Sequence, residues 1–352
     1  MSAGNRGLFT PATWQLRAPL AEPLKRGALA AVPVGIACLV ELATDSRIWG
    51  GIGTAALLGG FVAFDAPART RMVWQLFFAP IVGVTAALGV LSTNPAGLAI
   101  AGMTACGIAG GYCVAVSPRL AVAGMSAVLG FLLAQGFLLD VNQAPRALAA
   151  GVAGGLLQAA LSAGVWLLSD RSAESPGIGD RARGARKLLR DNLTLTSPSL
   201  RHALRWGTAL GAAVAVYRLV DLQGHGYWIP LTVLFVLKPS SDDTWERVAM
   251  RMVGTLAGLV LATALAEAFG PGAVPVAIAL TVAAALSFAL LTLEYALFTM
   301  AITVFVVLLT DALGEAAFKA ADQRALATAL GLALAALAVA IPLGVERRTL
   351  VR

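Results

Sequence analysis

Basic side chains at the end of a short apolar run are the first candidates for chemistry in this sequence. The run from Trp228 to Leu237 ends in Lys238 and is followed, across an acidic turn, by Arg247 and Arg251. The two arginines are four residues apart, so they share one face of a helix. A guanidinium binds a carboxylate through two parallel hydrogen bonds. The pattern therefore predicts a binding site for a small organic anion.

Structural roles for these basic side chains stay open beside the functional one. Lys238 at the end of an apolar helix can extend its ammonium to water, and an arginine can simply mark the water interface of a helix. The acidic residues of the turn, Asp242, Asp243 and Glu246, are predicted to cap the next helix. Its N-terminal dipole favours negative charge there.

Two carboxylates, Asp65 and Glu294, are candidates for proton coupling. Asp65 ends an apolar run at the position where Lys238 ends the later one, and Glu294 stands beside Tyr295 in an otherwise uncharged stretch. A carboxylate in an apolar site holds its proton more strongly than it does in water, as proton-coupled transport requires. For Glu294, a place at the water interface is the alternative.

Two further arginines begin the same short sequence, RALA, at residues 146–149 and 324–327. We predict that Arg146 and Arg324 form a symmetric pair that draws anions toward the outer mouth of a path. The alternative is that each arginine only anchors the end of its helix.

The elements that position these residues are apolar helices. The chain of 352 residues is 58% hydrophobic and 13% charged, with a mean hydropathy of +0.80, whereas a soluble domain is about 25% charged. The apolar runs are long and do not alternate with polar residues, which argues against an outer-membrane barrel. The composition predicts an all-α integral membrane protein. The net charge of +7 is explained by basic loops and predicts no nucleic-acid partner.

About twelve transmembrane helices are predicted from the apolar runs. They lie near residues 26–44, 48–65, 71–92, 95–117, 119–139, 146–169, 203–220, 226–238, 248–269, 272–291, 294–311 and 323–344. Most Lys and Arg residues fall in the loops of one side, which predicts that both termini are cytoplasmic. No cleavable signal is predicted, and the first apolar run is expected to act as an uncleaved anchor.

The twelve predicted helices fall into two parallel repeats of six. The segment LKRGALAAVPVGIACLVEL, residues 24–42, matches LRWGTALGAAVAVYRLVDL, residues 204–222, at several apolar positions and at the charges near both ends. A duplication kept only for packing is the alternative to a path at the repeat interface. The predicted organisation is a cytoplasmic segment (1–23), the first repeat (24–169), a cytoplasmic linker (170–202), the second repeat (203–344) and a cytoplasmic tail (345–352).

The linker contains the basic stretch RARGARKLLRDNL, residues 181–193. We predict a short amphipathic helix that lies on the inner leaflet, where anionic lipid attracts basic side chains. A regulatory site there is the alternative.

The stretch GYWIPLTVLFVLKPS, residues 226–240, together with Thr244, Arg247, Arg251 and the GTLAG of 254–258, resembles the signature of the fusaric acid resistance-like membrane proteins. That group includes bacterial aromatic acid exporters and, more distantly, plant aluminium-activated malate transporters. The resemblance implies transport of small organic anions, often aromatic carboxylates, across the bacterial inner membrane.

The resemblance also implies roles for three residues of the motif. Tyr227, Trp228 and Thr232 are expected to contact the substrate, with the aromatic rings stacking on it. For the two aromatic residues, an interface belt at the membrane surface is the alternative. The first half keeps Trp49, Thr54 and Arg71 of the motif but has Asp65 in place of the lysine.

The predicted function is proton-driven export of small organic anions, the aromatic carboxylates first, through the cell inner membrane. A passive organic-anion channel and a non-transporting membrane scaffold are the alternatives. No G-x-x-x-x-G-K-[ST] loop is present in the sequence, which argues against ATP-driven transport. No enzyme activity, metal site or cofactor is predicted. The predicted partners are the anion and membrane lipid, and a homodimer stays open.

Overall fold

The structure, a computed structural model, describes residues 20–44, 46, 48–136, 140–168, 178–219, 226–238, 241–269, 273–291, 293–312 and 317–340. These residues form α-helices and no β-strand. The helices are α1 (Ala21–Thr44), α2 (Ile48–Phe61), α3 (Ala68–Leu91), α4 (Ala96–Tyr112), α5 (Pro118–Gly136), α6 (Ala144–Leu168), α7 (Ile178–Asp191), α8 (Pro198–Leu219), α9 (Trp228–Val236), α10 (Ser241–Phe269), α11 (Ala273–Leu291), α12 (Tyr295–Ala312) and α13 (Ala317–Ala340). Most of the predicted cytoplasmic segments at the two ends lie outside the described residues.

Eight of these helices are long and apolar enough to cross a membrane: α1, α3, α4, α5, α6, α10, α11 and α13. Two shorter apolar helices, α2 and α12, accompany them. The predicted all-α membrane fold is confirmed, whereas the number of twelve spans stays a prediction. Large apolar side chains are exposed along α3, α10 and α11, as lipid contact requires, at Leu76, Phe77, Val84, Met252, Leu256, Val260, Val274, Ile278 and Val282.

The helix α7 occupies the stretch for which the sequence predicts a basic amphipathic helix. Its basic residues Arg186, Lys187 and Arg190 are exposed. The hydroxyl of Tyr112, at the end of α4, donates a hydrogen bond of 2.5 Å to the carbonyl oxygen of Leu189. This contact ties α7 to the helical bundle, and its position on a lipid leaflet stays a prediction.

The helices on the two sides of α7 pack in corresponding ways. The helix α1 packs along α11, and α8 packs along α4, so the first helix of each half lies against the fourth helix of the other. Within the halves, α3 packs on α5 and α6, and α10 packs on α12 and α13. This packing is what a pair of six-helix repeats requires, although the duplication itself stays a prediction.

Close packing between α10 and α12 depends on two glycines of the family motif. A Cβ atom added at Gly254 would lie 2.3 Å from the carbonyl oxygen of Ala296, and one added at Gly258 would lie 2.7 Å from that of Met300. The backbones approach too closely for a larger residue, as small-residue motifs in membrane helices permit. The glycines therefore set the distance between two helices that carry residues of the site described below.

The short helix α9 is buried along its whole length. Its nine residues span roughly 13 Å at 1.5 Å per residue, less than half of the ~30 Å hydrocarbon core of a membrane. It ends where Leu237 turns to an extended conformation, and Pro239 disfavours a helical conformation for the residue before it. The hydroxyl of Thr244 accepts a hydrogen bond from the backbone N–H of Lys238 at 3.0 Å. The turn after α9 is thus held in place by the start of α10.

Candidate functional site

A cavity of about 100 Å³ lies between the two halves. A single water molecule needs about 10–15 Å³ of such space, so the cavity has room for a small organic molecule. Its walls come from α2 and α5 of the first half and from α9, α10, α12 and α13 of the second. The walls are almost entirely apolar and include Leu57, Leu58, Phe61, Leu129, Leu133, Leu231, Phe235, Phe298, Ile302, Phe305, Val306 and Leu309.

Arg251 of α10 is the first of two charged side chains that line this cavity. The residue is 0% exposed, and none of its three guanidinium nitrogens has a hydrogen-bond partner among the described residues. Its guanidinium carbon lies 5.2 Å from the centre of the Phe235 ring, within the range of a cation–π contact. A buried ion without a partner is costly, and an anion beside this side chain would offset that cost.

Arg324 of α13 is the second charged side chain of the cavity. It is 1% exposed, and its Nε and Nη1 atoms have no hydrogen-bond partner in the described part of the chain. Its guanidinium carbon lies 5.0 Å from the centre of the Trp228 ring. Each of the two buried guanidinium groups thus faces an aromatic ring of α9.

The rings beside the two arginines lie at different heights along α9. Trp228 and Phe235 are seven residues apart on α9, which puts their rings on the same face and about 10 Å apart along the helix axis. The charges of Arg251 and Arg324 are near enough to act on each other, and no aspartate or glutamate occurs among the described residues that line the cavity. The cavity is therefore a strongly electropositive space with apolar walls.

The corresponding arginine of the first half has hydrogen-bond partners. Arg71, which the sequence aligns with Arg251, is also buried, but its Nε donates a hydrogen bond of 3.1 Å to Oγ of Ser162. Ser162 in turn donates to Oε1 of Gln75 at 2.7 Å, and Gln75 donates to the carbonyl oxygen of Gly59 at 3.2 Å. Arg71 is thus part of a polar network that ties together α2, α3 and α6.

Lys238 and Arg247 lie beyond the cavity, near the turn between α9 and α10. Neither is among the residues that line the cavity. The guanidinium carbon of Arg247 lies 3.9 Å from the centre of the Tyr295 ring, and the charge of Lys238 interacts with those of Arg247 and Asp243. Of the three basic residues predicted to bind the anion, the structure places Arg251 in the cavity and the other two at one end of it.

Tyr227 and Trp228 are buried and line the cavity, so neither lies in a surface belt. Their rings meet edge to face with centres 5.9 Å apart. Thr232 is buried too, but its hydroxyl donates to the carbonyl oxygen of Trp228 at 3.0 Å, and its side chain packs where Gly331 of α13 has no Cβ. Thr232 contributes to the contact of α9 with α13 and does not line the cavity.

The two predicted proton-coupling residues occupy different environments. The side chain of Asp65 is 64% exposed and forms a salt bridge of 3.3 Å with Arg119. The apolar environment on which its predicted role depends is absent, because the chain after α2 returns to the surface. Glu294 is half-buried just before α12, next to Tyr295, and its coupling role stays a prediction.

The predicted pair of outer-mouth arginines is not symmetric in the structure. Arg146 is exposed on the first turn of α6, whereas Arg324 is buried against Trp228 in the cavity. The reason is that α13 begins at Ala317, six residues before the predicted span, so that Arg324 lies two turns inside the helix. Arg324 is therefore a cavity residue, and a role for Arg146 at a mouth stays a prediction.

The family model that matches this chain covers the half that carries both cavity arginines. Residues 210–338 match the family model described as fusaric acid resistance protein-like, and the predicted resemblance to that family is confirmed. No solved structure matches the chain. No group of three or more His, Cys, Asp or Glu residues that could hold a metal ion is found among the described residues.

Three curated relatives match shorter segments. An uncharacterized protein of Synechocystis is 40% identical over 75 residues, which is 21% of this chain and 10% of the relative. An uncharacterized protein of Neisseria gonorrhoeae is 34% identical over 104 residues, 27% of this chain and 25% of the relative. Inner membrane protein YccS of Escherichia coli is 37% identical over 70 residues, 20% of this chain and 10% of the relative. The matched segments thus cover between a tenth and a quarter of the relatives' length.

Proposed function

We propose that this membrane protein is a transporter for small organic anions and that the cavity between its halves is the binding site. The observation that carries the proposal is the pair of buried, incompletely hydrogen-bonded arginines, Arg251 and Arg324. Burying a guanidinium without a partner costs several kcal/mol. An anion in the cavity offsets that cost, and the same charge excludes cations and disfavours neutral solutes.

Aromatic carboxylates are the substrate class that the walls of the cavity favour. Trp228, Phe235, Phe61, Phe298 and Phe305 line the space beside the two guanidinium groups. Aromatic rings prefer offset or edge-to-face contacts with other rings, and these add to the burial of apolar area. An aromatic acid supplies both parts of this match, since its ring faces the apolar walls and its carboxylate faces an arginine.

Export driven by the proton gradient of the bacterial inner membrane is the direction and energy source that we propose. The basic loops of the predicted inner side support this orientation, and Lys238 and Arg247 then stand at the end of the cavity where a cytoplasmic anion arrives. Glu294 is the remaining candidate for proton coupling. Because no carboxylate occurs among the described cavity residues, a passive anion channel driven by voltage is the second candidate.

Purified protein in liposomes tests the proposal. We expect benzoate to stabilise the detergent-solubilised protein in a thermal-shift assay and to move across loaded vesicles. Arg251→Met should weaken both effects, whereas Arg69→Met, which removes an exposed arginine of α3, should leave them unchanged. Flux that follows voltage and ignores the pH gradient would select the channel. Absence of both flux and stabilisation by benzoate and other aromatic acids would overturn the transport proposal and favour a scaffold.

A further inference from the structure

The number of charges in the cavity constrains the charge of its ligand. Two guanidinium groups are buried there, and no acidic side chain is present among the described lining residues. A monoanion that pairs with Arg251 leaves the charge of Arg324 uncompensated, and the reverse holds for a monoanion that pairs with Arg324. Only a ligand or a set of ligands with two negative charges neutralises the site.

The spacing of the two arginines constrains the shape of the ligand. Their aromatic neighbours, Trp228 and Phe235, are about 10 Å apart along one face of α9, and Leu231, between them on the helix, also lines the cavity. Each guanidinium carbon lies about 5 Å from its own ring, so a ligand that is extended along α9 can place one acidic group beside each arginine, whereas a compact dianion fits best beside one of them. The apolar wall at Leu231 faces the middle of any ligand that reaches both arginines.

We infer that the ligand of this cavity is an elongated dianion, with one acidic group at each end and an apolar or aromatic body between them. The inference rests on the proposed function, since it specifies the substrate class of the same site. One acidic group pairs with Arg251 beside Phe235 and the other pairs with Arg324 beside Trp228. Bidentate pairing at Arg251, together with a charge-assisted hydrogen bond from Nε or Nη1 of Arg324, fixes the ligand along α9.

The three benzenedicarboxylates provide a matched test, because phthalate, isophthalate and terephthalate differ only in the separation of two carboxylates. Calorimetric titration of the detergent-purified protein at pH 7.5, where both carboxyl groups are ionised, should show terephthalate binding at least tenfold more tightly than phthalate. Benzoate, with one carboxylate on the same ring, should also bind at least tenfold more weakly than terephthalate. Each ligand should bind with a stoichiometry of one.

Single substitutions then identify the two ends of the site. In Arg251→Met and in Arg324→Met, terephthalate should bind no more tightly than benzoate, because only one guanidinium remains. Arg69→Met, which removes an exposed charge outside the cavity, should keep the preference for terephthalate. If a variant fails to fold, the binding constants of the four acids for the unsubstituted protein still test whether the ligand is an elongated dianion.

The outcomes separate this inference from the proposed function. Benzoate that binds as tightly as terephthalate, or two benzoates bound per chain, would overturn the elongated dianion while leaving an anion transporter in place. A preference for phthalate would also overturn it. If none of the four acids binds, the proposed function fails together with the inference.

Discussion

Replacing Arg251 by methionine should make the ligand-free protein more stable. The residue is 0% exposed, and its three guanidinium nitrogens have no hydrogen-bond partner among the described residues. Replacement of buried ionic groups by apolar residues of similar volume is often neutral or stabilising by about 1–4 kcal/mol. Because Arg251 has a ring contact at 5.2 Å and no acidic partner among the described cavity residues, we expect its replacement to stabilise within that range.

Arg71→Met is the matched control, and we expect the opposite sign. Arg71 is the corresponding arginine of the first half, but its Nε donates to Oγ of Ser162, which donates onward to Gln75. Methionine at position 71 removes a donor from this buried network and leaves an acceptor unsatisfied. Such a loss costs about 1–3 kcal/mol. Two substitutions with the same chemistry should therefore change the free energy of unfolding in opposite directions.

The same Arg251→Met substitution should weaken anion binding. Removing one partner of a buried, hydrogen-bonded charge pair costs about 2–5 kcal/mol. With about 1.4 kcal/mol for each factor of ten, the dissociation constant should rise by about 30-fold to about 4,000-fold. The variant should thus combine higher stability with lost function, as is expected when a costly group is retained for binding.

Unfolding in one detergent, followed by tryptophan fluorescence against denaturant, compares the three proteins, and calorimetry measures the binding of a benzenedicarboxylate. The reasoning is refuted if Arg251→Met loses as much stability as Arg71→Met. That result would mean that the guanidinium of Arg251 has a structural partner and is not reserved for a ligand.

Three further predictions concern coupling and packing. Asp65→Asn should leave anion flux and its pH dependence almost unchanged in vesicles, since an exposed salt bridge contributes only about 0–1 kcal/mol to stability. A lost pH response would restore Asp65 as a coupling group. Glu294→Gln should make flux independent of the pH gradient while anion binding persists, and an unaltered gradient response would remove Glu294 from the mechanism. Gly254→Ala should lower stability by about 1–3 kcal/mol because its Cβ would overlap the facing helix. Gly164→Ala should not, because the added Cβ meets open space there. Equal thermal midpoints of the two variants would contradict this packing.

The helices of this protein could be predicted from the sequence because each apolar run is long compared with its loops. The largest errors lie at helix starts. The span predicted from 248 begins in the structure at Ser241. Asp243 and Glu246, which the sequence places in a turn and cap, lie in the first two turns of α10. Acidic side chains are favourable there beside the helix N-terminus. Hydropathy detects the apolar part of a helix and misses the polar turns that extend beyond it.

The site could be predicted only in part, and for the same reason. The motif points to Arg251 and Trp228, but hydropathy starts the last span at residue 323 and therefore predicts that Arg324 lies at a mouth. Six more residues of helix place it in the cavity. Phe235, which lies against Arg251, could not be singled out, because a phenylalanine in an apolar run has no distinguishing pattern. Which apolar residue faces a charge is decided by the packing of helices distant in sequence.

The contrast between the halves bears on how such a site can arise in a protein whose two halves pack in corresponding ways. Walls come from both halves, through α2 and α5 on one side and α9 and α12 on the other, but both guanidinium groups come from the second half. In the first half, the counterpart Arg71 donates a hydrogen bond to Ser162 and Arg146 is exposed. Four buried, unpaired arginines around one small cavity would repel each other strongly at low dielectric. Retaining two of them keeps the cavity attractive to anions at half that charge.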